Sequence, residues 1–408
     1  MGLPLIHCPA TTRIAGTLLV ALLMSVRADL SPAQYTSRNL EATTARPHVG
    51  LTFAAIGDAG EPGAVLAGVA TSIVHGTMPG PGASIGLLLF LGDNFYPTGL
   101  NHTMHEQERL IAECLGPFKE AFERLTRDNV HAVPGNHDYY CERLGPIPYG
   151  LCIEGNRREA RIGEWTYHMI MPARVRRPLS IGSPDSVDFV LVDSGLMLGT
   201  KPSMWGATLD SLERLLRSSA NSPGVRWRIL AAHHSPYSVG EHGGWRYWSS
   251  RERRVLRVGN CWADGVDPRK YVEEAVSAQD NCTPRYRAYR DSLFGAVSRS
   301  GAAVQIMMAG HDHSLQLLDN SAKLRAPLPR IFIVSGAAGT RSRVRSPHPP
   351  TIWTHSITEE EGLSPGGYVR GAFVGGNLHL QFIDAASGAP LDMGGRSEFI
   401  ITPDGVLH

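Results

Sequence analysis

The sequence predicts an α/β fold in which strands alternate with helices and a second sheet packs on the first. Three observations carry this. Five short apolar runs each end abruptly at glycine or histidine and then a polar side chain; amphipathic stretches lie between them; and the last quarter of the chain turns to glycine-rich strand patterns.

In chain order the runs are LTFAAI into GDAG (57–60), IGLLLFL into GDNFY (92–96), NVHAV through Pro134 into GNHDY (135–139), WRILAA into HHSP (233–236) and AVQIMMA into GHDH (310–313). Each has the length and aliphatic content of a strand buried on both faces. Helical patterns run over 104–125, 206–220 and 284–301. The later segments RIFIVSGAAG, GGYVRGAFVGG and NLHLQFIDAASG read as strands of the second sheet, joined by tight turns. Segments 141–186 and 243–283, rich in Arg, Gly, Pro and Cys, read as loop insertions at the edge of the site.

Charge and composition exclude some functions. With 39 basic against 38 acidic residues and 42% hydrophobic content, the chain has neither the basic balance of a nucleic-acid binder nor the acidity of a solvating tail. The apolar run from Ile14 to Met24, preceded by Arg13 and followed by Val26 and Ala28 at cleavage-like spacing, predicts a secretory signal over 1–28. Its 11 residues are too few for a comfortable transmembrane span, so no span is expected in the mature chain. An N-terminal extension (29–48), a catalytic domain (49–394) and a tail (395–408) complete the expected organisation, and the product is expected to be secreted or held in a vacuole or lysosome. In that setting Cys141 with Cys152, and Cys261 with Cys282, are expected disulfides that leave Cys114 over; Asn101 and Asn281 begin glycosylation triplets.

Ligands of α/β sheets gather at the carboxyl ends of strands. If Asp58 and Asp93 meet there, two carboxylates about 4 Å apart repel by roughly 4 kcal/mol at an effective dielectric near 20. No Lys or Arg lies in the five motifs, while His233, His311 and His313 are neutral donors of the kind transition metals take, so a metal pair is expected. Tyr96 bears on the metal's identity. Lowering a phenol from about 10 to about 5 needs roughly 7 kcal/mol of differential stabilisation, which trivalent iron supplies more readily than zinc or magnesium.

GDAG, GDNFY, GNHD, the histidine pair 233–234 and GHDH, in this order, resemble the motifs of the purple acid phosphatases, within the calcineurin-like metallophosphoesterases. GHDHSLQ, FIVSGAAG and GGYV read like the tartrate-resistant type, and the resemblance runs over residues 50–393. It implies the metallophosphoesterase αββα sandwich, two packed mixed β-sheets flanked by helices. It also implies an acid phosphatase that hydrolyses phosphate monoesters by attack of a metal-bound hydroxide at a binuclear Fe(III)–M(II) centre. Carried over residue by residue, Asp58, Tyr96 and His313 would hold Fe(III), Asp93 would bridge, and Asn136, His233 and His311 would hold a divalent iron, zinc or manganese. Asn136, His137 and His242 would act on the substrate, a phosphate ester, with either imidazole able to protonate the leaving group. Alternatives on the same platform are a phosphodiesterase or nucleotide hydrolase and, in another class, a non-catalytic scaffold.

The chain departs from the pattern at Gly60, where other metallophosphoesterases carry a histidine and where Tyr96 is expected to substitute, and at His234, which stands where the family usually has tyrosine and is the less favoured ligand. Asp138 and Asp312 are expected to orient ligands, and Tyr139 and Tyr140 to pack. His75, His102, His131 and His379 are expected to be structural. The arginine runs 174–178, 251–254 and 341–345 are read as solvated loops, and Ser194 is rejected as a nucleophile because no base adjoins it in sequence.

Overall fold

The computed structural model describes residues 50–76, 84–140, 152–243, 246–249, 254–257, 281, 283–344, 352–354 and 363–408. Of the two compact units into which the chain divides, the first, Met1–Thr44, lies outside these residues, and everything below concerns the second, Ala45–His408.

The first sheet takes β1 (Thr52–Ile56), β2 (Leu87–Phe90), β3 (Val130–Ala132), β4 (Thr166–Tyr167), β14 (Gly367–Val374), β15 (Asn377–Asp384) and β16 (Phe399–Ile401), in the order 16-15-14-1-2-3-4. The second takes β5 (Ala173–Pro178), β6 (Ser186–Val192), β7 (Val225–Ala232), β10 (Ile306–Ala309), β11 (Leu315–Asp319), β12 (Ile331–Ser335) and β13 (Ile352–Thr354), in the order 13-11-12-10-7-6-5. A separate hairpin pairs β8 (Arg246–Ser249) with β9 (Arg254–Arg257). Both large sheets are mixed: β1 runs parallel to β2 but antiparallel to β14, and β10 runs parallel to β7 and β12 while β11 opposes β12.

Strand alternation builds three apolar layers. Phe53, Ala55, Leu87 and Leu89 face inward against Phe189, Trp227, Ile229 and Ile306 of the other sheet. Their neighbours Ala54, Ile56, Leu88 and Phe90 face outward and are covered by α1 (Ala64–His75) and α2 (Met104–Leu115). On the far side, Val190, Leu230 and Met307 pack beneath α6 (Gly206–Ala220) and α7 (Pro284–Ser300), completing the αββα sandwich. Burial on both faces is why these strands read as unbroken apolar runs rather than as alternating ones.

The expected helices form with local adjustments. The 104–125 pattern breaks at Pro117 into α2, a 3₁₀ turn and α3 (Lys119–Arg124), because proline has no amide to continue the ladder. A capping box between Thr103 and Glu106 starts α2, and Thr283 with Pro284 at the first turn starts α7. Two further short helices, α4 (Ile153–Glu159) and α5 (Ser194–Gly199), lie near the site.

Several expectations change. The C-terminal strands do not make a sheet of their own: β12 extends the second sheet beside β10, whereas β14 and β15 extend the first beside β1. The segment 141–186 is not all loop, for α4, β4 and β5 lie within it, and the stretch set apart as a tail contributes β16. The arginines at 174–178 are strand residues rather than a solvated run: Arg176 makes a bidentate pair with buried Asp188 (2.7 and 2.9 Å), and Arg177 bonds Asn129 and the carbonyl of Asp128. The runs at 251–254 and 341–345 fall partly outside the described residues.

Neither glycosylation triplet offers a free amide. Asn101 Nδ2 donates to the carbonyls of Tyr140 (2.7 Å) and Thr98 (3.0 Å). Asn281 is buried, its amide oriented to donate to Ser235 O and Tyr286 Oη and to accept from Ser238 N. Cys114 is a buried free thiol as expected, while each expected disulfide includes a residue outside the described set. The expected signal and N-terminal extension also lie outside it. Among the described residues no helix is long and apolar enough to cross a membrane.

Candidate metal centre

The carboxyl ends of β1, β2 and β3 from one sheet and of β7 and β10 from the other converge, so the five motifs meet across the sandwich rather than along one sheet. Their convergence is close enough to restrict side chains. A Cβ at Gly135 would lie 2.1 Å from Asp93 Oδ1, which is why glycine precedes Asn136. At Gly60 a Cβ would lie 2.6 Å from Phe95 N and 2.7 Å from Tyr96 N, so the backbone leading into Tyr96 leaves no room for a side chain there.

Backbone strain marks the same residues. Among the described residues four non-glycines have left-handed backbone, and three are Asp58 (φ 58°), Asp93 (φ 53°) and His311 (φ 70°); the fourth is Ile170. Such conformations cost about 1–3 kcal/mol each and persist where the surroundings hold them. Here backbone amides do so: His311 N donates to Asp58 Oδ2 (2.8 Å) and His137 N to Asp93 Oδ1 (2.9 Å). One oxygen of each carboxylate is thereby anchored, and the other is aimed into the site.

At the aimed oxygens the first cluster forms. Tyr96 Oη lies 3.0 Å from Asp58 Oδ1, from Asp93 Oδ2 and from His313 Nε2. The second cluster forms on Asn136, whose Oδ1 is 3.0 Å from His233 Nε2 and 3.1 Å from His311 Nδ1. Asp93 Oδ2 joins the two, being 3.4 Å from His233 Nε2. Ring orientations are fixed from behind: His233 Nδ1 bonds the carbonyl of Leu91 at 2.8 Å, which leaves Nε2 for the site. Tyr140 Oη accepts from Asn136 Nδ2 at 3.1 Å and so turns Oδ1 inward.

Electrostatics shows what this arrangement lacks. Burial pushes the Tyr96 phenol well above 10, and the charges of Asp58 and Asp93 push it further, so without a cation it stays protonated. Burial alone would raise Asp93, but His233 and His137 hold it well below the usual carboxylate range. His233 is pulled down by burial yet pushed up to about 9 by Asp93 and Asp58. The pull of the two carboxylates on His233 shows that this buried negative charge favours a positive partner, which a metal ion would supply. Asp58, Asp93 and His233 present donor atoms within 4.8 Å of one another, as do His233, His234 and His311. Carboxylate, phenol and imidazole at one position, and carboxamide with imidazoles at the other, fit transition-metal binding.

His137 and His242 adjoin the two clusters. His137 Nδ1 bonds the carbonyl of Pro97 (2.7 Å), and its ring meets Tyr96 edge-on at 4.5 Å. His242 stacks on His311 with centroids 4.1 Å apart. The two acids expected to orient ligands bond backbone amides beside the candidate ligands: Asp312 Oδ1 accepts from His242 N (2.8 Å), and Asp138 accepts from Gly135 N (2.7 Å) and Asn94 N (3.0 Å). Asp138 is pushed up to about 7 by burial and by Asp93, and Glu159 beneath it is raised as well by burial and then Asp138.

Sequence reasoning missed Tyr140, placed with packing residues, and Asn281, whose backbone amide donates to the carbonyl of His242 (2.9 Å). It also missed that Ser194 does meet a histidine, His234 Nδ1 at 2.9 Å, since the two come from different strands. Tyr139 packs as expected, and His75, His102, His131 and His379 bond Glu120, Thr98, His168 and Glu398 away from the cluster.

Residues 54–263 match the family model described as calcineurin-like phosphoesterase, which is just over half of the chain. The protein therefore belongs to that family of metallophosphoesterases, whose members hydrolyse phosphoesters at a binuclear metal centre. Solved structures of similar fold include PhoD (11% identity, 90% of this chain and 72% of that one, TM-score 0.50). They also include GAP50, the anchor in the inner membrane complex of Plasmodium (13% identity, 84% and 87%, 0.49), and purple acid phosphatase PPD1 from yellow lupin seeds (14% identity, 87% and 54%, 0.45). At these identities the likeness concerns fold alone. No curated protein matches the sequence.

Proposed function

We propose that this metallophosphoesterase is an acid phosphatase of the purple type, which hydrolyses phosphate monoesters at an Fe(III)–M(II) pair. The single observation behind this reading is the Tyr96 hydroxyl, 3.0 Å from Asp58, Asp93 and His313 at once. Beside two carboxylates a phenol ionises only for a strongly charged cation, and trivalent iron suits a hard oxygen-rich set. Asp58, Tyr96 and His313 would hold that ion, Asp93 would bridge, and Asn136, His233 and His311 would hold the divalent partner. When bound, such a pair supplies Lewis acidity toward phosphoryl oxygens and lowers the pKa of the attacking water.

The chain's own residues do the rest. Backbone amides of His137 and His311 keep the two carboxylates fixed, so the donors need not reorganise as charge develops on the substrate. His137 donates Nδ1–H to Pro97, which leaves Nε2 to carry a proton to the departing oxygen; His242, clamped by Asp312 and Asn281, is the second candidate. Tyr140 turns the Asn136 carbonyl toward its two histidines. Export through the secretory pathway belongs to the same reading and rests on the apolar run at 14–24.

The test is a visible spectrum with elemental analysis on purified protein, followed by turnover of an aryl monoester and the matching diester at acid pH. A tyrosinate-to-iron band, iron in the protein and preference for the monoester are expected. A colourless, iron-free enzyme would overturn the purple assignment, and preference for the diester would move the substrate class to phosphodiesters.

A further inference from the structure

We propose that His234 is a third imidazole donor at the position bounded by Asn136, His233 and His311, which makes that position nitrogen-rich and selective for zinc-like ions over manganese. The inference rests on the metal reading above and deepens it.

Four observations carry it. A ring nitrogen of His234 lies within 4.8 Å of ring nitrogens of both His233 and His311. The three rings are close, with centroids 4.7 Å from His234 to His233 and 4.3 Å from His234 to His311. Nδ1 of His234 is engaged by the buried Ser194 hydroxyl at 2.9 Å. Nε2 is buried and, among the described residues, has no hydrogen-bond partner.

A buried unpaired nitrogen costs about 1–3 kcal/mol; His131 Nε2 is open as well, but among the described residues only His234 combines an open nitrogen with a place in a group of potential metal donors. This one satisfies Nδ1 and leaves Nε2 open. Metal-binding histidines are arranged in that way, with one ring nitrogen held by a hydrogen-bonding neighbour so that the other is presented to the ion. The arrangement is rigid. Ser194 Oγ also accepts from His234 N (3.0 Å), Tyr289 Oη donates to the His234 carbonyl (3.1 Å), and Asp193 caps the helix on which Ser194 sits. Ser194 is therefore a positioning residue for His234 rather than a nucleophile.

Three imidazoles with one carboxamide oxygen and the shared Asp93 carboxylate form a donor set richer in nitrogen than two imidazoles would, which favours zinc, whereas manganese favours oxygen-rich sites. Removing one imidazole should weaken zinc more than manganese.

The experiment uses full-length protein stripped with chelator, then equilibrated with zinc alone or manganese alone and read by elemental analysis and competition with a chromophoric chelator. Wild type is expected to take up two ions per chain. His234→Gln should keep one zinc at wild-type affinity and bind the other about 100-fold more weakly, with a smaller change for manganese; Ser194→Ala should weaken the same zinc about 10-fold. Should His234→Gln not give folded protein, Ser194→Ala decides by the same criterion. Folded variants that hold both zinc ions at wild-type affinity would overturn the proposal and leave the metal reading intact. A wild type that takes up neither ion would overturn the metal reading, and this inference with it.

Discussion

Two buried groups outside the metal cluster titrate in opposite directions across the mildly acid range, and their effects on stability can be separated by substitution. Asp193 is 1% exposed and accepts from Leu196 N (2.9 Å), Ile170 N (2.7 Å) and Tyr139 Oη (2.5 Å). Burial nevertheless pushes it from 3.8 up to about 6. A raised carboxyl contributes stability that is complete below the unfolded value and is lost as pH rises through the folded one. The gap between these values corresponds to about 3 kcal/mol lost between pH 4 and 6.

His168, whose Nε2 lies 3.0 Å from His131 Nδ1, is pushed by burial from 6.5 down to about 4. A depressed imidazole contributes stability that is complete above the unfolded value and is lost as pH falls. The gap corresponds to about 3 kcal/mol lost on acidification from pH 6.5 to 4. His131 is depressed as well, by burial and then His168, and acts in the same sense. Between pH 4 and 6 the Asp193 and His168 contributions oppose each other at nearly equal size.

The assay is urea denaturation at a series of pH values with chelator present, so that metal binding does not enter the linkage. Asp193→Asn should tilt the curve so that stability rises with pH by about 3 kcal/mol more than in wild type, and His168→Gln should tilt it the other way by a similar amount. Only differences in slope count, because each substitution also shifts the curve by a constant through altered hydrogen bonding. Curves for both variants that run parallel to wild type would refute the reasoning.

Other consequences are more direct. Gly135→Ala places a Cβ 2.1 Å from Asp93 Oδ1, so the loop must move; kcat should fall by about 100-fold or more with loss of bound metal, and elemental analysis checks it. Tyr96→Phe should abolish the visible band while iron remains detectable, since Asp58, Asp93 and His313 are left in place; a band that survives would remove Tyr96 from the ligand set. His137→Ala and His242→Ala should lose about 100-fold more kcat on alkyl than on aryl phosphate esters, because only the alkoxide needs protonation; equal losses on both would exclude an acid role.

What was legible in the sequence was whatever a strand imposes on its own residues. Burial on both faces writes an apolar run, and the close approach of strand ends writes a glycine before the functional side chain, as at Gly135 beside Asp93. Those two constraints are local: the apolar run marked all five strand ends that meet at the cluster, and the glycine marked four of them. The distribution of those ends was not legible, because an apolar run buried between two layers looks the same in either sheet: β7 and β10 belong opposite β1, β2 and β3, and β12 and β14 part company although each reads as a glycine-rich strand.

The same limit governs the supporting residues. Tyr140 follows its partner Asn136 by four positions, yet nothing in GNHDYY says that the hydroxyl turns back; Ser194 and His234 come from the ends of neighbouring strands, and Asn281 reaches His242 from the far side of an insertion. Each depends on where a second segment lies, which a motif does not encode. A motif fixes which atoms can bind an ion, whereas the tertiary packing fixes which way those atoms face. His234 shows the difference: residue type makes it a possible donor, and only the Ser194 hydroxyl on Nδ1, together with the open Nε2 on the other side of the ring, gives that donor a direction.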